Sequence, residues 1–264
     1  MTLAPKGWRE WLAALFRARG TDEAVPPHLR RPTVRRRGTT TELQFVRGVS
    51  QSQMVTRDPN RLLIDYTRTM LGALVLVPRP RSIGMIGLGG GSQAKYCYQH
   101  LPEARIEVVE NNPHVLALRR KFRVPEDDAR FRVFLDDGAR FLQERWGRFD
   151  LLLVDGYDET GIPAVLSTQG FYDHCRASLA EGGAAAFNLY CADASIHIER
   201  LRNACGDEHV LVIEELRQSN RVAIAWTGPI REPAEMALSS AAQRDLAGVF
   251  ANVREQLAMT KLPA

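Results

Sequence analysis

Apolar and polar positions alternate in two different ways along the chain, and the change comes near Ser82. From there, apolar runs recur over Ser82 to Leu88, Arg105 to Glu110, Arg130 to Leu135, Phe149 to Val154 and Gly183 to Leu189. Their length and their Val, Ile, Leu and Phe content predict strands, with helical stretches of about 10 to 15 residues between them. Strand and helix in turn define βαβ units, so an α/β fold is expected, with a mostly parallel sheet covered by helices on both faces. The runs EHVLVIEEL and NRVAIAWTG, joined by RQSN, predict an antiparallel pair at the sheet edge, and a last helix is expected over Ser239 to Leu257.

Ahead of Ser82 the pattern is less regular. TELQFVRGVSQSQMV alternates as a β-hairpin or two short strands around Gly48, and PNRLLIDYTRTMLGALVLV reads as a helix beginning near Pro59. KGWREWLAALFRARG places Trp8, Trp11, Leu12, Leu15 and Phe16 on one helical face. PPHLRRPTVRRRGTTT has prolines, five arginines and no apolar period, which describes a linker or an irregular arm. The expected organisation is a basic amphipathic helix and linker over 1–40, a small β-hairpin plus helix over 41–78, and the main domain over 79–264.

Composition changes this picture little, and charge changes it more. The 264 residues are 45% hydrophobic and 25% charged, an ordinary globular balance. Residues 1–37 carry a net charge of +6, and the remainder sums to −2. The basicity therefore belongs to the N-terminal arm, expected to pack on its own domain or on the neighbouring subunit of a homodimer, and no nucleic acid partner is expected. No window reaches the roughly 20 apolar residues of a membrane span, and no signal peptide is evident, so a cytoplasmic location without stable membrane insertion is expected. Cys97, Cys175, Cys191 and Cys205 show no metal-ligand spacing, and reduced thiols are expected with no bound metal.

The candidate chemistry begins at IGMIGLGGGSQAKYCYQH. Gly89, Gly90 and Gly91 end the first main strand, where glycine lets the backbone approach a ligand and a following helix offers free N–H groups. GGGSQA also satisfies a loose GxGxxA pattern, which keeps a nicotinamide or flavin site open. Glu110 ends the second strand, where a carboxylate can accept both hydroxyls of a ribose. Asp136 and Asp137 end the third, just before Gly138, where a carboxylate can take an adenine amine or cap the next helix. Together they favour an adenosyl nucleoside. At the fourth strand's end, Asp155 and Asp158 in DGYDETGIP can bind a cationic amine and take its proton, and Tyr157 between them can share in proton handling.

At these residues the chain resembles the spermidine synthase family of polyamine aminopropyltransferases, over roughly Gln44 to Trp226. The matching features are GVSQ through Gln51, the GGG loop, Glu110, Asp137 with Gly138, and the D-x-x-D loop. The resemblance implies a Rossmann-like fold shared with class I methyltransferases, a small N-terminal β-domain and decarboxylated S-adenosylmethionine as the aminopropyl donor to a small amine. Asp155 would then deprotonate the amine and Asp158 would hold it. Ser92 stands where the family usually has an acid, and Tyr66, Thr67 and Arg68 stand where it usually has Tyr-His-Glu. Two other readings stay open. One is an S-adenosylmethionine methyltransferase, with Gln93, Lys95 or Arg68 meeting the donor carboxylate, and the other is a nucleoside-binding protein without turnover.

Overall fold

The computed structural model describes residues 25–157, 161–191, 193–215, 220–230 and 234–259. The amphipathic segment from Trp8 to Phe16 lies outside them, as does Asp158. Three strands come first, β1 (Thr33–Arg37), β2 (Thr40–Gln44) and β3 (Ser52–Val55), paired in that order as an antiparallel sheet.

β1 corrects the expectation of an irregular arm. Val34 pairs with Leu43 and packs against the core, while Arg35, Arg36 and Arg37 are exposed along the sheet edge. Charge on an edge strand discourages further pairing, so a run of arginines is compatible with a strand here. The helix expected from Pro59 begins later, as α1 (Asp65–Met70), and tightens into a 3-10 turn over Leu71–Val75. Leu62 sinks fully into the core and Ile64 is extended at φ −103° and ψ 126°, so the residues before α1 run as irregular chain.

The main sheet holds β4 (Ser82–Ile86), β5 (Arg105–Glu110), β6 (Phe131–Leu135), β7 (Phe149–Val154), β8 (Leu179–Leu189), β9 (Val210–Glu215) and β10 (Asn220–Trp226). Their spatial order is β6-β5-β4-β7-β8-β10-β9, with β4 to β8 parallel and β10 antiparallel to both β8 and β9. The intervening helices are α2 (Ser92–His100), α3 (Pro113–Leu116), α4 (Gly138–Gln143), α5 (Gln169–Ser178) and α6 (Ser195–Cys205). The expected terminal helix is two, α7 (Ser240–Asp245) and α8 (Ala247–Met259), broken at the fully buried Leu246. No described helix is long and apolar enough to cross a membrane.

β7 shows why the central strands read as unbroken apolar runs. Leu151 and Leu153 join Ile83 and Met85 on one face, and Leu152 and Val154 join Ile86 and Phe171 on the other. Both faces are covered, as in parallel sheets generally. Full burial of each such leucine contributes about 1.5–3 kcal/mol relative to exposure. The chain runs from β4 outward to β5 and β6, then returns to place β7 on the other side of β4. The carboxyl ends of β4 and β7 therefore flank a reversal of strand order, where open α/β sheets form their binding crevice.

Candidate active site

A cleft of about 1620 Å³ opens at that reversal. Its wall includes Gln51, Gly87, Gly89, Glu110, Asp137, Gly138, Asp155 and Tyr157. Gly90 and Gly91, also expected to meet a ligand, are not part of the wall. A Cβ on Gly90 would stand 2.5 Å from Ser52 Oγ, and one on Gly91 would stand 2.4 Å from Val124. These two glycines are bare because neighbouring chain segments press on them, whereas Gly89 faces the cleft at φ +52°.

Glu110 is buried, at 8% exposure. Its Oε2 accepts from the Leu88 and Gly89 amides at 3.0 and 3.4 Å, and its Oε1 accepts from the Asn112 amide at 2.9 Å. Burial raises its pKa, and the surrounding N–H groups oppose that shift by favouring the ionised form. The carboxylate thus ties the glycine loop to the end of β5. Asp137 Oδ1 accepts from the Ala139 and Arg140 amides at 2.9 and 3.0 Å, so this residue caps α4 while lining the cleft. Asp136 accepts from Arg140 Nε at 2.8 Å.

On the other side stands Asp155. Its Oδ2 accepts from the Tyr66 hydroxyl at 2.9 Å, and its Oδ1 accepts from Asn188 Nδ2 at 2.8 Å. Burial pushes its pKa up, and the bonds from Asn188 and Tyr66 push it back. Tyr157 turns its hydroxyl to the Asn188 carbonyl, donating at 2.7 Å, and receives the Tyr190 amide. Asp158 lies outside the described residues, so only Asp155 of the expected carboxylate pair is placed.

Of the three side chains considered for a donor carboxylate, only Gln93 lines the cleft, with its Nε2 on the Thr67 carbonyl at 3.3 Å. Arg68 is turned to Asp65 and Asp245, at 3.8 and 3.5 Å. Lys95 is 1% exposed and donates to the Phe122 carbonyl at 2.8 Å, under the glycine loop. Burial, with help from Arg123, lowers its pKa from 10.5 to about 8. A depressed lysine pKa means that the unfolded chain binds more protons, so stability should rise between pH 8 and 10.5. Lys95→Met is expected to flatten that rise, as measured by Tm across the interval. A rise of unchanged size would assign it to other groups.

Gly87 and Asn188 belong to none of the sequence motifs, and Tyr66 figures there only with Thr67 and Arg68 in place of Tyr-His-Glu. Gly87 adopts φ +93° and packs so closely on Asp155 that a Cβ would lie 2.2 Å from its carbonyl oxygen. The signal for Asn188 was present, since it is the one polar side chain in the run AAAFNL. Among the described residues, no cluster of three or more His, Cys, Asp or Glu is arranged to hold a metal.

The architecture is that of Rossmann-like, methyltransferase-type proteins. A probable spermidine synthase from Corynebacterium glutamicum superposes with a TM-score of 0.66 at 20% identity, over 88% of this chain and 92% of that one. Human methyltransferase-like protein 13 in complex with SAH gives 0.58 at 19% identity, over 76% and 95%. Residues 64–200 match the spermine/spermidine synthase domain, and the chain belongs to that family. It is 37% identical over 156 residues to the polyamine aminopropyltransferase of Chromobacterium violaceum, covering 58% of this chain and 60% of that one. The corresponding protein of Neisseria meningitidis serogroup B is 35% identical over 155 residues, covering 57% and 59%. The chain thus matches about 60% of the length of these relatives.

Proposed function

We propose that the protein transfers an aminopropyl group from decarboxylated S-adenosylmethionine to a small amine. The observation that carries this reading is Asp155, a carboxylate held from both sides at the edge of a glycine-loop cleft. The family membership and the curated aminopropyltransferase relatives support it. The cleft fits an adenosyl donor in its charges. Glu110, bonded on both oxygens by backbone amides, keeps further lone pairs for ribose hydroxyls, and Asp137, on the cleft wall, is assigned to the base. When bound, the donor supplies a carbon activated by its neighbouring sulfonium.

The protein's own part is positioning and proton handling. Asp155 accepts the proton of the incoming ammonium, which frees the nitrogen lone pair to form the new C–N bond as the C–S bond breaks and methylthioadenosine leaves. Tyr66 and Asn188 orient the accepting oxygens. Asp158 is assigned to hold the amine, and Gln51 and Gly89 to shape the donor side. Lys95 and Arg68 are placed away from the cleft while Gln93 stays on its wall, so the preference for the decarboxylated donor rests on the family membership and the aminopropyltransferase relatives.

Calorimetry with methylthioadenosine, S-adenosylmethionine and its decarboxylated form, followed by mass spectrometry with candidate amines, tests the reading. Preference for the decarboxylated donor with formation of an aminopropylated amine supports it. Methylated product would make the protein a methyltransferase, and binding without product would make it a nucleoside binder. Glu110→Gln is expected to weaken methylthioadenosine binding by about 1–3 kcal/mol, the loss typical of a charge-assisted hydrogen bond. Unchanged affinity would remove Glu110 from the donor site.

A further inference from the structure

Asn188 stands near the carboxyl end of β8, 6% exposed, in a strand otherwise apolar from Ala184 to Leu189. A buried amide in such a strand is costly unless its bonds are made. Both its main chain and its side chain are engaged with the loop after β7. The side-chain Nδ2 donates to Asp155 Oδ1 at 2.8 Å, and the main-chain carbonyl accepts from the Tyr157 hydroxyl at 2.7 Å. The Tyr190 amide donates to that same hydroxyl. Asp155 is thereby gripped from β8 on one oxygen and from α1, through Tyr66, on the other.

An amide N–H only donates, so its bond to a carboxylate oxygen favours the ionised acid over the protonated one. We infer that Asn188 is a positioning residue that fixes the orientation of the Asp155 carboxylate and keeps it in its proton-accepting form. The inference rests on the transfer reading for its catalytic meaning, but its physical content is independent of any substrate. Among the described residues, the groups that face Asp155 are Tyr66 from α1, Tyr157 from its own loop and Asn188 from β8. Burial raises the Asp155 pKa, and among the opposing bonds that from Asn188 is the larger. Removing it leaves burial less opposed, so the proton is held to higher pH.

Two substitutions test this, Asn188→Leu, which deletes the donor at similar size, and Asn188→Ala, which deletes it without adding bulk or charge. In each, the titration of the Asp155 carboxyl carbon is followed by 13C NMR in protein labelled at aspartate, with Asp155→Asn identifying the resonance. The expected result is a titration moved to higher pH, with the acidic limb of kcat moving alongside it and methylthioadenosine affinity unchanged. On the acidic side turnover with decarboxylated S-adenosylmethionine and primary aliphatic amines should fall roughly 10- to 100-fold, and recover as pH rises. If Asn188→Leu does not fold, the smaller Asn188→Ala decides. A folded variant whose Asp155 resonance titrates as in the wild type overturns the inference. Should the wild-type protein transfer nothing to any amine while the resonance still moves in the variants, the transfer reading fails and the hold of Asn188 on Asp155 stands.

Discussion

Asp155→Asn is expected to lower turnover by about 10²-fold or more while leaving methylthioadenosine affinity nearly intact. An aliphatic amine with a pKa near ~10 reaches the cleft as an ammonium, which has no lone pair with which to attack carbon. Asparagine preserves the size of the side chain and can still accept from Tyr66, but it cannot take the proton. The proposed donor side, with Glu110 bonded to the glycine loop, is untouched by the change. Stability should move the other way. Asp155 has its folded pKa raised by burial, so whatever it contributes is present below its unfolded pKa and lost as pH rises through the folded one. Above the folded pKa the ionised group therefore works against the fold, and there the variant should melt no lower than the wild type. Steady-state kinetics, calorimetry and a melting curve on one preparation decide the matter. Wild-type turnover in Asp155→Asn would end the assignment of this residue as the base.

Gly87→Ala should be the most damaging of the small substitutions, at about 3 kcal/mol or more. The added carbon would meet the Asp155 carbonyl oxygen at 2.2 Å and its carbonyl carbon at 2.9 Å, both backbone atoms that cannot rotate away. The φ of +93° adds strain for any residue with a side chain. For a chain of this size that loss corresponds to a fall in Tm of roughly 6–12 °C. Because the displaced partner is the backbone that carries Asp155, turnover should fall as well. Gly48→Ala is the control, since Gly48 has a similar φ of +88° but nothing within 4 Å of its would-be Cβ. It isolates conformational strain from crowding, and equal losses in the two variants would remove crowding against Asp155 from the explanation.

The parts of this molecule that were legible in the sequence are those governed by local pattern. β7 carries an apolar run whose ends coincide with the observed strand, because both of its faces are buried and only Asp150 interrupts it, and β5 keeps its expected ends around the buried Ile106, Val108 and Val109. β1 was hidden because its apolar content is the single Val34, and its other side chains face water at an edge. The helix expected from Pro59 was placed too early because Leu62 is apolar for a tertiary reason, burial in the core, and not as part of a helical face. In the cleft, Glu110 and Asp155 announced themselves as acids at strand ends. Gly90 and Gly91 look the same as Gly89 in sequence, and only the approach of Ser52 and Val124 separates the glycine that is open to the cleft from the two that are crowded by the protein. Asn188 is 33 residues from Asp155, and that pairing is fixed by the register of β8 on β7.

The order of strands also governs when this cleft can come into being during synthesis. Glu110 and Asp137 belong to the side of β4 that is complete once β5 and β6 have emerged, whereas Asp155 and Asn188 belong to β7 and β8, which dock on the opposite side. A nascent chain ending ahead of β8 would already contain the carboxylates of the donor side and the proposed base, with no amide yet to hold that base. Synthesis therefore completes the residues proposed for the donor before those proposed to handle the proton, since Asn188 follows Asp137 by some fifty residues.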